Sequence, residues 1–137
     1  MSNSAKAMIF DKDGLLLVLW RSNTHPRYAH HLDFPGGLIE EGEKPKVTVS
    51  REIMEETGLD IPAALLELVK THHPRPGSNQ RFFVVNIEQS SPNIAISWEH
   101  ESYKWLTLEQ FLAEPISLAS DIYHQIAVEH LAPKQSA

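Results

Sequence analysis

The stretch that decides the reading is Gly37–Leu59, GLIEEGEKPKVTVSREIMEETGL. Within it Glu52, Glu55 and Glu56 stand at i, i+3 and i+4, which places three carboxylates on one helix face. Pro45 suits the first turn, where its missing N–H costs little. Gly58 suits the left-handed position that ends a helix. The spacing predicts a helix over Pro45–Thr57 framed by loops. On a wheel of about 100° per residue the three acids span roughly 100°. Val47, Val49, Ile53 and Met54 fill the adjoining arc, so one side is expected to bury and the next to coordinate. Like charges this close repel unless a cation joins them, and hard carboxylate oxygens favour magnesium. A solvated acidic face is the plainer reading of Glu-x-x-Glu-Glu taken alone.

The rest of the run decides between the two. Gly37, Glu43, Arg51, Glu52, Ile53, Glu55, Glu56, Gly58 and Leu59 follow the order G-x5-E-x7-R-E-I-x-E-E-x-G-L. That order is the signature of the Nudix hydrolases, and the chain resembles this superfamily, most closely its small MutT-like members. The preceding Phe34-Pro-Gly-Gly37 is common before the box in such sequences.

The resemblance implies a metal site. Glu52, Glu55 and Glu56 would bind magnesium, or manganese in its place, with the backbone carbonyl of Gly36 as a further ligand. Glu52 is also a candidate general base. Arg51 would pair with Glu43 and fix the loop against the helix; otherwise that pair is an ordinary exposed one worth under about 1 kcal/mol. The implied reaction is attack of water on a diphosphate bridge joining a nucleoside to another moiety. A metal reverses the local sign so that an anionic substrate can approach. With no cysteine and no G-x-S-x-G elbow, a nucleophilic side chain has no obvious candidate.

A second patch, Glu99-His-Glu-Ser-Tyr-Lys-Trp105, resembles the region where MutT-like enzymes carry an extra glutamate six residues before a tryptophan. Glu99 is therefore a candidate metal ligand or catalytic base, with a surface acid as the alternative reading and Glu101 as the competing assignment. His100 reads as structural. Arg21, Arg75 and Arg81 are candidate phosphate clamps, and Trp20, Phe34 and Phe82 could stack on a base or fill the core. The expected catalytic set is Glu52, Glu55, Arg51 and Glu99, and the expected substrate contacts are Arg21, Phe34 and Gly37.

Composition sets the outer bounds. The 137 residues, 42% hydrophobic and 22% charged, fit one soluble domain spanning 1–137 with a real core. No run approaches the roughly 18 apolar residues of a membrane span, and MSNSAK lacks the apolar stretch of a secretory signal. A cytoplasmic location is the default. Net charge is −6, and seven acids against three bases lie between Glu40 and Asp60. An acidic chain of this kind suits small nucleotides held through metal better than a nucleic acid polymer. The adjacent histidine pairs His30-His31 and His72-His73 lack zinc-site spacing.

Around the box, Ala5–Phe10 and Leu15–Arg21 read as a hairpin over Asp11–Gly14, and Ser22–Asp33 as a loop. Leu65–His72, Arg81–Glu88, Ile94–Trp98 and Tyr103–Leu106 read as strands. Thr107 caps a short helix to Ala113. Asp121–Leu131 reads as an amphipathic helix with Ile122, Ile126, Val128 and Leu131 inward. The alternation fits an α/β/α sandwich with a mixed sheet, the architecture the resemblance also implies. Three functions compete: nucleoside triphosphate pyrophosphohydrolase, ADP-ribose or sugar-nucleotide pyrophosphatase, and a catalytically silent nucleotide-binding module. Whether the protein is a monomer or a homodimer stays open.

Overall fold

The computed structural model describes residues 2–24, 28–115 and 120–135. Seven strands and three α-helices run in the order β1 (Ser2–Phe10), β2 (Leu16–Arg21), β3 (Leu32–Asp33), β4 (Gly36–Leu38), α1 (Pro45–Thr57), β5 (Glu67–His72), β6 (Ser78–Asn86), β7 (His100–Leu106), α2 (Leu108–Ala113) and α3 (Ser120–Gln135). A single 3-10 turn, Ala63–Leu65, precedes β5.

β1 organises the sheet. It pairs in parallel with β6 from Ser2↔Ser78 to Phe10↔Asn86, and antiparallel with β4 through Lys6↔Gly36. The expected hairpin survives only at its turn: β1 and β2 share the single register pair Phe10↔Leu16. β2 instead pairs with β7 and β3. The turn is held by Asp11, whose buried carboxylate accepts from the Asp13 and Leu15 amides at 2.9 and 2.8 Å.

Alternation along the strands builds two cores. Met8, Phe10, Val18, Phe82 and Val84 pack on one face with Phe111 of α2 and Tyr123, Ile126 and Ala127 of α3. Ala5, Ala7, Ile9, Leu17, Phe83 and Val85 pack on the other with Val49 and Ile53 of α1. This is the expected sandwich: a mixed sheet between α1 and the pair α2–α3.

Several local expectations are corrected. Ile94–Trp98 forms no strand; Ile94 is buried against α1's core, but the segment pairs with no neighbour in the sheet. β3 and β4 arise within and just after the segment expected to be loop and bend. Val128 is exposed, while Tyr123 and Ala127 take the inward positions beside Ile126. The Leu131 side chain lies outside the described residues. Thr107 caps α2 through a full capping box with Gln110, as its sequence predicts. No helix among the described residues is long and apolar enough to cross a membrane.

Candidate active site

Helix α1 runs over the predicted residues and ends at Gly58, whose φ of 78° is left-handed and whose N–H donates to the Met54 carbonyl. The face it buries is displaced from expectation. Val49 and Ile53 are fully buried, but Val47 and Met54 are 47% and 45% exposed. Thr48, Glu56 and Thr57 are buried instead. The packed arc is thus centred nearer the acids than the aliphatic pattern implies, and it includes Glu56, which is only 3% exposed.

Strand β4 presents two glycines to these acids. The Gly36 N–H donates to Glu56 Oε2 at 3.0 Å. A Cβ on Gly37 would lie 3.1 Å from the Glu52 carboxylate carbon, so the absence of a side chain makes room for that group. Gly36 is required for a different reason: its φ is +148°, and a Cβ would come 2.0 Å from the Ala5 carbonyl oxygen. The tight approach of β4 to β1 therefore sets the backbone on which two box carboxylates rest.

Arg51 occupies the acidic face. It donates to Glu43 through Nε and Nη2, both at 3.2 Å, and through Nη1 to Glu52 at 3.0 Å and Glu55 at 3.4 Å. The bond from Arg51, seconded by Thr48 at 2.7 Å, lowers the Glu43 pKa to about 2. The pairing of Arg51 with Glu43 is present as expected, and Arg51 also ties down two of the acids. Among the described residues no three acidic or imidazole side chains yet converge as a ligand cage.

The acids are nevertheless undercompensated. Burial, then repulsion from Glu55, raises the pKa of Glu52 despite Arg51, and Glu99 adds to the push. Glu99 thus lies within electrostatic reach of Glu52 from the loop before β7, which is tied to the end of β2 by the Ser22 N–H donating to the Glu99 carbonyl at 2.9 Å. Burial raises Glu56 to about 8; Lys6 and the Gly36 amide pull it down, and Asp33 and Glu52 push it up. An all-oxygen donor set carrying excess negative charge suits a hard divalent cation.

Beside this lies a centre that sequence reasoning missed. Asp33 is buried, and its Oδ1 accepts from Lys6 Nζ at 3.0 Å. Its Oδ2 lies 3.1 Å from Arg21 Nε and 3.2 Å from His100 Nε2. Burial alone would raise the Asp33 pKa, but Lys6, His100 and Arg21 together hold it well below the carboxylate range. Lys6 also donates to the Phe34 carbonyl at 3.1 Å. The available signal was Lys6 itself, the one charged residue in the strand AKAMIF.

Two expected substrate contacts change character. Phe34 is fully buried, with its ring against Phe111 and Tyr123 at centroid distances of 5.7 and 4.5 Å. It fills the core and presents no face to a base. Arg21 spends its Nε on Asp33 and stacks its guanidinium 5.8 Å from the Tyr28 ring. Trp20 and Phe82 join the same core. His100 is buried, with its Nε2 on Asp33.

Comparison with known proteins agrees with this geometry. The model of the NUDIX domain matches residues 2–126. The chain belongs to the Nudix family. This Nudix hydrolase is similar to an RNA pyrophosphohydrolase of Bartonella bacilliformis, 25% identical over 89% of this chain and 86% of the relative. It is similar also to a mouse asymmetrical bis(5'-nucleosyl)-tetraphosphatase, 29% identical over 59% of this chain and 58% of that one. Among solved structures, a MutT protein from Methanosarcina mazei superposes with a TM-score of 0.72 at 25% identity, covering 94% of each chain. The Nudix hydrolase is thus a small MutT-like member with the α/β/α architecture.

Proposed function

We propose that this protein hydrolyses the diphosphate linkage of a nucleoside triphosphate or related small nucleotide, with magnesium or manganese as its metal, releasing a monophosphate and pyrophosphate. The observation that carries the reading is the convergence of Glu52 and Glu56 on the Gly36–Gly37 backbone, with Glu99 near enough to repel Glu52. Glu52, Glu55, Glu56, Glu99 and the Gly36 carbonyl would hold the ion. The chemistry supplied there, when the ion is bound, is polarisation of phosphoryl oxygens and relief of the substrate's negative charge.

The chain's own groups do the rest. Glu56 is fixed by the Gly36 amide and by burial. Arg51 positions Glu52 and Glu55 from the exposed side. Glu52 is the candidate general base.

The test is a hydrolysis panel with magnesium and a chelator control. It comprises nucleoside triphosphates, a dinucleoside tetraphosphate, ADP-ribose and 5'-triphosphorylated RNA, with products identified. Pyrophosphate and monophosphate from a triphosphate, abolished by chelator and by Glu52→Gln, is the expected result. No product from any triphosphate would reject the reading. The relatives' names bring in RNA and bis(5'-nucleosyl) tetraphosphates; the net charge of −6 favours free nucleotides over a polymer.

A further inference from the structure

Two of the three tryptophans are seated in the fold. Trp20 packs against the core beside α3. Trp105 packs against the core beside α1, and its Nε1–H donates to the Pro92 carbonyl at 3.1 Å. Trp98 joins neither core and is 66% exposed. An indole left in water forgoes one of the largest apolar burials open to a side chain, so its position calls for a physical reason.

That position is defined from both sides. Three residues earlier, the Ala95 N–H donates at 2.9 Å to the carbonyl of Thr57, the residue after Glu56 on α1. Two residues later, His100 Nε2 lies 3.2 Å from Asp33. Between these anchors Trp98 and Glu99 form the centre of a turn closed by the His100 N–H on the Ser97 carbonyl at 3.2 Å. Ser22, at the end of β2, holds the tip: its Oγ donates to the Trp98 carbonyl at 2.8 Å and its N–H to the Glu99 carbonyl at 2.9 Å. The backbone under the indole is therefore fixed while the ring stays open. Glu99 repels Glu52 from this same tip, and neighbouring Cα atoms are only about 3.8 Å apart. A rigid turn thus sets an unburied aromatic ring beside the acids. Tyr28, also exposed, already meets the Arg21 guanidinium at 5.8 Å and the His31 ring at 5.6 Å.

We propose that Trp98 is the stacking platform for the substrate's nucleobase. The assignment rests on the diphosphate-hydrolase reading above and extends it to the part of the substrate that is not phosphate. A diphosphate held at Glu52 and Glu56 places its base one sugar's length away, on the side where the turn stands. Stacking on an indole asks for a π face and no particular hydrogen-bonding edge. The contact therefore separates nucleotides from base-free polyphosphates and accepts every base. An exposed tryptophan could instead brace the turn for Glu99 or dock a second copy of the chain, and each role leaves a different trace.

Kinetics with each nucleotide that the hydrolysis panel turns over, and calorimetry on inorganic tripolyphosphate with magnesium, read the two ends of the substrate separately. Trp98→Ala is expected to raise KM on the order of tenfold with kcat little changed, and Trp98→Phe to recover most of that loss. Tripolyphosphate affinity stays at the wild-type value in both variants. Because the ring packs in neither core, thermal melts of both variants should overlay the wild type. An unchanged KM in Trp98→Ala would overturn the assignment and leave the proposed function standing. So would a fall in kcat alone, the mark of a displaced Glu99, an equal loss for tripolyphosphate, or a shift from dimer to monomer in size-exclusion chromatography as the sole effect. Turnover of no nucleotide in the panel removes both readings.

Discussion

The acids of α1 and the single acid at Asp33 both sit beside the bend that ends at Gly37, yet the fold treats their charges in opposite ways. Asp33 is surrounded by Lys6, Arg21 and His100, and its pKa is driven down. Glu52 and Glu56 are desolvated and crowded by other carboxylates, and their pKa values are driven up. The first arrangement is complete in itself. The second leaves an electrostatic debt that a divalent cation can settle. Two carboxylate centres on neighbouring backbone thus separate a bracing role from a binding role.

The sharpest way to break the contrast is Glu56→Gln. Activity is expected to fall by a factor on the order of 10³, the loss of several kcal/mol of charge stabilisation at the reacting phosphate, in kcat/KM assays with magnesium. The metal-free protein should lose no stability, because an amide resembles the protonated acid favoured there below pH 8. A large drop in denaturant midpoint together with unchanged kcat/KM would reverse the assignment of the two centres.

Asp33→Ala should show the converse. Removing one member of a buried ionic network strands Lys6 and Arg21 without their carboxylate, at a cost of about 3–5 kcal/mol. Urea unfolding reads this directly. A cost below about 1 kcal/mol would show that water already compensates the centre.

The most gradual effect lies in the pH dependence, where the signs differ. Glu56 is raised from 4.5 to about 8 in the folded state, so between those values the folded state holds a proton that the unfolded state has lost. Its contribution to stability is complete below pH 4.5 and is lost as pH rises toward 8, by about 1.4 kcal/mol per unit at most. Asp33 has a lowered value, so its contribution is present above the ordinary carboxylate pKa and is lost as pH falls below it. Thermal melts in chelator from pH 5 to 8 should slope downward. Magnesium should flatten that slope, and Glu56→Gln should abolish it.

The sequence disclosed α1 and its caps because proline, glycine and the i, i+3, i+4 acids are local signals. Thr107 was legible for the same reason. The displaced buried face of α1 was not, since it depends on how Val49 and Ile53 meet Ala5, Ala7 and Ile9 of another element. Nor could the chain announce the Asp33 centre, whose members come from β1, β2, β3 and β7 and lie up to 67 positions apart pairwise with Asp33. Phe34 misled for a simple reason: an aromatic beside a functional loop looks the same in sequence whether it turns toward the cleft or toward Phe111 and Tyr123.

The parallel pairing of β1 with β6 has a consequence for how the molecule comes into being. Asn3 and Asn79, joined side chain to side chain at 2.9 Å, are 76 residues apart, so the strand that braces Gly36 waits for a partner made much later. Closing so long a loop is slow and entropically costly before its contacts repay it. The glutamate helix leaves the ribosome well before its supporting strand is locked in place. An excised peptide bearing the whole signature would carry the charges without the scaffold that gives them their pKa values.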